Sequence, residues 1–441
     1  MKKLLQSLCL VISMVFMMSC FGVPASAAST ARYQLPFEPN AQAYLLVSLD
    51  TGEVIFEKNS HEQYYPSTLT KMLTAYTAYK YVDDLDGTMV TAPRYVYDEL
   101  YGLNSATADI RQGEVLSVKN LLYAMLLPSA NEAASILADY LGNGSIENFC
   151  MMMNNEARKL GCTNTNFTSA HGLFSENHYT SAYDLYLIAK ACWETPGFMD
   201  IVTTTTRQMP ANTKHAEPYY IQNINRMQNR STGYYRSYAK GIQVDTPDYS
   251  NYVTVCQKNG ENYILVVLGA AEISDEKRPV FITAAEIMDY FFETYSMRNA
   301  NTLTYPVTDI TVKYAKDTDS LLLYADNEVM SILPNDADES SFQKVYNLPE
   351  TVGAPVKAGD VIGTVDYYLA GQKVGTSQLV SHTDVERSTL LYLTGKLTEM
   401  FTSLYFRVVV AVTVTLVIIY LIYTYRKFRQ HEKMQKVHRR R

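Results

Sequence analysis

The most constraining feature of this chain lies near its C-terminal end. Val408 to Tyr425 reads VVVAVTVTLVIIYLIYTY, 18 residues without a charge between Arg407 and Arg426. As a helix rising about 1.5 Å per residue it spans roughly 27 Å, just enough for the hydrocarbon core of a bilayer. The plain alternative is a buried helix of a soluble domain. Residues 426–441, RKFRQHEKMQKVHRRR, argue against it, because they hold eight Lys/Arg and one Glu. A basic block beyond the last apolar residue marks the cytoplasmic side and suits contact with anionic lipid. Residues 408–425 are therefore expected to be a transmembrane helix and 426–441 a basic cytoplasmic tail.

The other end agrees. Lys2 and Lys3 precede an apolar run from Leu4 to Met18, interrupted by Gln6, Ser7 and Ser13, and the small residues Ala25-Ser26-Ala27-Ala28 follow. This is the pattern of a cleaved signal peptide, taken as residues 1–27. An alternative processing point is Cys20, whose lead-in Met17-Met18-Ser19 departs from the apolar-small-small pattern of lipidation sites. Both ends thus place the body outside a membrane crossed once.

The chain has a net charge of -7; without the tail's net +7, Lys2, Lys3 and Arg407, about -17 remains on residues 28–406. So acidic a body excludes a nucleic-acid partner, since phosphate binding needs a basic footprint. After cleavage four cysteines remain, Cys150, Cys162, Cys192 and Cys256, with no C-x-x-C pair. No metal or redox motif and no cofactor is expected. Cys150 and Cys162 either pair in an oxidising setting or stay as buried thiols. The 36 tyrosines, in clusters such as Tyr64-Tyr65, Tyr219-Tyr220 and Tyr234-Tyr235, suit sugar or peptide contact as well as ordinary packing.

Along the body, AYLLVSLDTGEVIFE (43–57) reads as a hairpin turning at Asp50-Thr51-Gly52. After Pro66, STLTKMLTAYTAYKYV reads as a helix burying Leu69, Met72, Leu73, Ala75 and Tyr76. VKNLLYAMLLPSANEAASILADYL is two helices broken at Pro128, and NFCMMMNNEARKLG a helix stopped by Gly161. Strands return after Gly241, in YVTVCQK and YILVVLGA around an Asn259-Gly260 turn, and residues 281–297 read as a last amphipathic helix. Strands, then helices, then strands and a helix imply an α/β or α+β domain over 35–298 whose sheet draws on both ends of the domain. From about Leu303 the texture changes to short alternating strands with Gly, Asp and Pro turns, predicting a small all-β domain over 303–387. A partly helical stalk over 388–407 leads to the membrane.

Three stretches carry candidate chemistry. Thr68-Leu-Thr-Lys71 sets a hydroxyl and an amine one helical turn apart on one face, which suits a nucleophile whose proton goes to a lysine of lowered pKa; it is also an ordinary surface turn in many proteins. Ser129-Ala-Asn131 opens a helix after a proline, where Ser129 reads equally as an N-cap with Glu132 completing a capping box. Ser169-Ala-His171-Gly172-Leu173 is a loop in which the histidine's usual part is local hydrogen bonding.

Taken in order and with their flanks, P-S-T-L-T-K-M-L-T, L-L-P-S-A-N-E-A-A, H-G-L with H-Y-T-S-A-Y-D-L, V-V-L-G and A-P-V-K-A-G-D-V-I-G resemble the low-molecular-weight penicillin-binding proteins, the serine D-Ala-D-Ala carboxypeptidases. The likeness runs from about Ala41 to Gly375. It implies a serine beta-lactamase/transpeptidase-like α/β domain followed by the β-rich domain. It also implies a mechanism in which a serine attacks the carbonyl between two D-alanines, with the lysine three residues on as base. The S-x-N pair relays the proton, and a K-T-G strand binds the terminal carboxylate. Lys71, Ser129 and Asn131 carry over unchanged, and His171 falls beside the substrate.

Two elements depart from that pattern. Thr68 stands at the nucleophile, its added methyl restricting χ1 and crowding the attacked carbon; Ser67 replaces the preceding alanine and points about 100° away around a helix. The K-T-G strand aligns with Gln243-Val244-Asp245 after Gly241-Ile242. Gln243 brings no charge to the substrate carboxylate and Val244 no hydroxyl, while Asp245 adds bulk and negative charge where glycine admits a peptide. A lost charged hydrogen bond weighs about 1.5–3 kcal/mol. Lys240 is near but out of position, and Arg226, Arg230 or Arg236 are the cations able to compensate. Three readings follow. The first is a catalytically degenerate membrane-anchored module that binds the peptidoglycan stem peptide or an envelope protein. The second is an active carboxypeptidase with Thr68 as nucleophile and Lys71 as base. The third is a structural module whose cleft is filled by its own side chains.

Overall fold

The computed structural model describes residues 33–438 apart from 104, 174, 246–249 and 272–277, and for 430–438 only the helical backbone. The expected signal peptide, Cys20 and Arg439 to Arg441 lie outside the described residues. The chain divides into two compact units at Glu293/Thr294.

In the first unit a five-stranded antiparallel sheet is built from both ends of the domain. Its strands are β1 (Ala43–Ser48), β2 (Val54–Lys58), β3 (Gln243–Val244), β4 (Tyr252–Lys258) and β5 (Glu261–Leu268), in the order β2-β1-β5-β4-β3. β1 is apolar apart from its last residue and buried throughout, as a central strand covered on both faces must be. It runs against β5 from Ala43↔Leu268 to Ser48↔Tyr263.

Strand alternation sends Leu45, Val47, Ile264 and Val266 into the large apolar cluster shared with the helices. The opposite face meets helix α6 (Pro279–Thr294), where Phe281 lies edge-on to Tyr252 and Phe291 to Tyr263. The helices between are α1 (Lys71–Tyr81), α2 (Val118–Leu126), α3 (Asn131–Leu141), α4 (Ile146–Lys159) and α5 (Ala182–Glu194). α1 is buried continuously from Lys71 to Ala78, so it is the central pillar of the helical layer, and polar side chains on it must find partners inside the protein. A 3₁₀ turn, Ser67–Thr70, leads into it. Serines cap α2, α4 and α5: Ser117, Ser145 and Ser181 each accept from the backbone N–H three residues on.

Two expectations are corrected. α6 stops at Thr294, and Tyr295–Asn299 is a strand rather than the end of the helix, because it pairs with Met330–Pro334 in the second unit. Ser129 is not an N-cap: α3 is preceded by Ala130, with no side-chain cap. Glu132 Oε1 instead accepts from Thr107 Oγ1 at 2.6 Å and Ala108 N at 2.7 Å. Between the two alternatives for the cysteines, all four are buried free thiols.

The second unit carries β6 (Tyr295–Asn299), β7 (Thr308–Lys313), β8 (Ser320–Ala325), β9 (Met330–Pro334), β10 (Phe342–Asn347), β11 (Val352–Gly353), β12 (Val361–Leu369) and β13 (Gln372–Ser381). Six form one sheet in the order β10-β12-β13-β8-β7-β11. Alternate residues of β7 and β8, among them Ile310, Val312, Leu321 and Leu323, turn into its core with Val365, Tyr367 and Leu379. Helix α7 (Thr389–Thr402) is capped by Ser388, and helix α8 (Leu404–His438) follows. Within α8, Leu404–Arg429 is long and apolar enough to cross a membrane.

Candidate active site

The site forms where the start of α1, the start of α3 and the short edge strand β3 converge, three segments far apart in sequence. Thr68, Lys71, Ser129, Asn131, Gln243, Val244 and Asp245 are all buried, none exceeding 3% exposure. The fold thus brings together every catalytic candidate and the whole triplet aligned with the carboxylate-binding strand.

Lys71 is fixed by the S-x-N segment. Its Nζ donates to Ser129 O at 2.6 Å, Ser129 Oγ at 2.9 Å and Asn131 Oδ1 at 2.6 Å, which engages all three protons of an ammonium. Ser129 reaches this position by a left-handed backbone, φ 64°, uncommon for a residue with a Cβ and maintained by the packing around it. Burial brings the Lys71 amine down to about 7, against Glu132 and Asp245, which favour the charged form.

Thr68 faces another way. Its Oγ1 donates to Val244 O at 3.3 Å, so the hydroxyl is engaged with the strand backbone while Lys71 is engaged with Ser129 and Asn131. Beside it, Ser67 has φ 51° and sits in a 3₁₀ turn, not the α-helical turn assumed from the spacing. Its Oγ donates to Asp245 Oδ1 at 2.7 Å. Asp245 Oδ2 accepts from Ser250 Oγ and Asn251 Nδ2, each at 3.0 Å. Ser67 and Asp245, the two polar residues that the resemblance marks as departing from its pattern, are therefore bonded to one another. This bond ties the turn before α1 to the residue that follows β3.

Gln243 Nε2 is 3.4 Å from Ser129 Oγ, and its Oε1 is buried with no hydrogen-bond partner among the described residues. Leaving such an atom unsatisfied costs about 1–3 kcal/mol. Of the three candidate compensating arginines, Arg236 pairs with Asp289 at 2.9 Å and Arg230 lies over the Tyr235 ring; Arg226 sits in a 3₁₀ turn over Arg226–Gln228. Among the described residues, Lys240 Nζ donates to Ser237 O, at 3.5 Å.

The loop with His171 backs the 3₁₀ turn. His171 Nδ1 accepts from Leu173 N at 3.0 Å, and its Nε2 is 3.7 Å from Glu99. Burial, reinforced by Lys71, pushes its pKa down to about 3, so it is neutral and performs the local bonding its loop position suggested. Gly172 has φ 82°, and a Cβ there would stand 1.9 Å from Ser67 O; only glycine lets this loop press against the turn.

Sequence reasoning also missed His178. Its Nε2 lies 2.8 Å from Thr70 Oγ1, which itself donates to Ser67 O at 2.8 Å. Its Nδ1 accepts from Thr168 N at 3.0 Å. This assigns the ring proton to Nε2, and burial lowers the pKa to about 4. Ser67, taken from the sequence only as a misdirected hydroxyl, is thus held from below by Thr70 and from across the cleft by Asp245. The available signal was that positions 67 and 245 both depart from the pattern the resemblance implies, and do so toward residues able to pair.

Comparison with known proteins identifies the family. The D-alanyl-D-alanine carboxypeptidase peptidase family matches residues 28–272, and the C-terminal domain of penicillin-binding protein 5 matches 292–387. D-alanyl-D-alanine carboxypeptidase DacF of Bacillus subtilis is 25% identical over 391 residues, covering 88% of this chain and 96% of its own. DacC of Escherichia coli, another D-alanyl-D-alanine carboxypeptidase, is 27% identical over 378 residues, 82% of this chain and 88% of its own. Among solved structures, penicillin-binding protein 5 of Haemophilus influenzae shares the fold with a TM-score of 0.56 at 23% identity, over 80% of this chain and 100% of that one. Five ordered motifs, a sheet drawn from both ends of its domain, a trailing β unit and matches along most of the chain converge on one assignment: the chain belongs to the D-alanyl-D-alanine carboxypeptidase family.

Proposed function

We propose that this chain is a membrane-anchored member of its family that has lost peptide hydrolysis and serves the cell envelope by binding, with the peptidoglycan stem peptide or an envelope protein as partner. The observation that carries this reading is the 2.7 Å bond from Ser67 Oγ to Asp245 Oδ1. It occupies the strand edge a substrate would need, with the Thr68 hydroxyl turned to the Val244 carbonyl alongside. Family enzymes must bring a free hydroxyl, a base and a cationic carboxylate site to one point. Here the hydroxyl carries an extra methyl and is engaged elsewhere, and the cation is replaced by Gln243.

One observation favours a second reading, an active enzyme with Thr68 as nucleophile. Lys71, at about 7, is poised as a base near neutral pH. A fluorescent penicillin separates the two. The full-length protein in detergent is expected to show no covalent label after prolonged incubation, beside an active family member that labels. Label that disappears in Thr68→Ala sinks the non-hydrolysing reading.

The body is placed outside the membrane and the basic tail inside, supported by the signal-like N-terminus and the block of Lys and Arg after Tyr425. Protease added to intact cells is expected to remove the body and spare an epitope fused after Arg441; loss of the epitope would reverse the orientation.

A further inference from the structure

Gln243 holds the position where the family strand carries the lysine that binds the substrate carboxylate, and it is 3% exposed. Its Nε2 donates weakly, to Ser129 Oγ at 3.4 Å and Val244 O at 3.5 Å, while Oε1 has no partner among the described residues. Exchanging the two amide atoms does not cure this. Oε1 would then accept from the Ser129 hydroxyl but stand against the Val244 carbonyl, and the NH₂ would take the unpaired place. In either orientation one polar atom of a buried amide is left without a partner among the described residues. Buried polar atoms are nearly always paired, so this one marks a ligand position.

The surroundings select the ligand. Two residues along the strand, and on the same face by alternation, Asp245 presents a carboxylate. Val244 offers only its backbone carbonyl. The Lys71 ammonium has committed its donors to Ser129 and Asn131. The site is therefore rich in acceptors, and an entering carboxylate, which can only accept, would meet the negative charge of Asp245. A primary amide both donates and accepts, and it can pair with Gln243 through two hydrogen bonds whichever way that side chain is turned.

We infer that this cleft, once the Ser67–Asp245 contact parts, takes a peptide ending in a neutral carboxamide instead of a free carboxylate. The inference rests on the reading of the protein as a non-hydrolysing binder, and it names the class of peptide bound.

The test is titration calorimetry on the full chain in detergent micelles at neutral pH. The probes are diacetyl-L-Lys-D-Ala-D-Ala as the free acid and the same peptide as its C-terminal primary amide. The amide is expected to bind at least about tenfold more tightly, and Gln243→Leu to erase the difference. Equal or tighter binding of the acid overturns the inference, and so does the absence of binding by either peptide at millimolar concentration. If Gln243→Leu does not fold, the acid-to-amide ratio of the unaltered protein decides alone. Penicillin labelling keeps the two failures apart: no label with no amide preference removes this inference only, whereas label on the unaltered protein removes the non-hydrolysing reading beneath it.

Discussion

A chain carrying Thr68→Ser together with Gln243→Lys, Val244→Thr and Asp245→Gly is expected to be acylated by penicillin at least about 100-fold faster than a chain with Thr68→Ser alone or with the strand repaired alone. The expectation follows from how the two defects interlock. Removing the Thr68 methyl frees χ1, yet the new serine still faces a strand edge held shut by Asp245 and its bond to Ser67. Repairing the strand opens that edge and restores a cation and a hydroxyl, yet leaves a crowded nucleophile. A misplacement of the reacting atoms near 1 Å is worth about 100-fold, and on this reading neither defect is bypassed while the other remains. The rate of covalent labelling, read beside thermal melts that confirm folding, checks it. Thr68→Ser alone labelling as fast as the full repair would show that the strand is no obstacle. A folded but silent full repair would place the block elsewhere.

Lys71→Met is expected to remove a pH dependence of stability. The folded amine titrates at about 7, below its ordinary 10.5, so between these values the unfolded chain holds a proton that the folded chain lacks. Stability then rises with pH through this window and is flat below it, the depressed cation having become charged in both states. At roughly 1.4 kcal/mol per pH unit, the unaltered protein should gain about 2–3 kcal/mol between pH 7 and pH 9 relative to Lys71→Met. Denaturant melts of the two chains across that range, taken as a difference so that tyrosines and surface lysines cancel, provide the measurement. Parallel curves would mean that the three acceptors around Nζ hold the ammonium charged and the amine is no base near neutrality.

Much of this protein was legible in residue order alone. Hydrophobicity over 18 residues and the charge after it are local quantities, so the membrane helix needed no tertiary information. The hairpin, the proline break between α2 and α3 and the glycine after α4 are likewise decided by neighbours in the chain. The order and spacing of five motifs identified the family. Short-range reading failed where a long-range partner intervened. Ser129 has the composition of an N-cap, but its carbonyl and hydroxyl are drawn to a lysine 58 residues away. Residues 295–297 read as the end of the last helix, but their backbone pairs with Met330–Pro334 inside the second unit. Above all, nothing in the spacing of Ser67 foretells a bond to Asp245 at a separation of 178 residues. The sequence by itself determined which groups the site contains; tertiary structure decided which of them face one another, because a hydrogen bond depends on angstrom-scale placement that only the closed sheet and the 3₁₀ turn before α1 can provide.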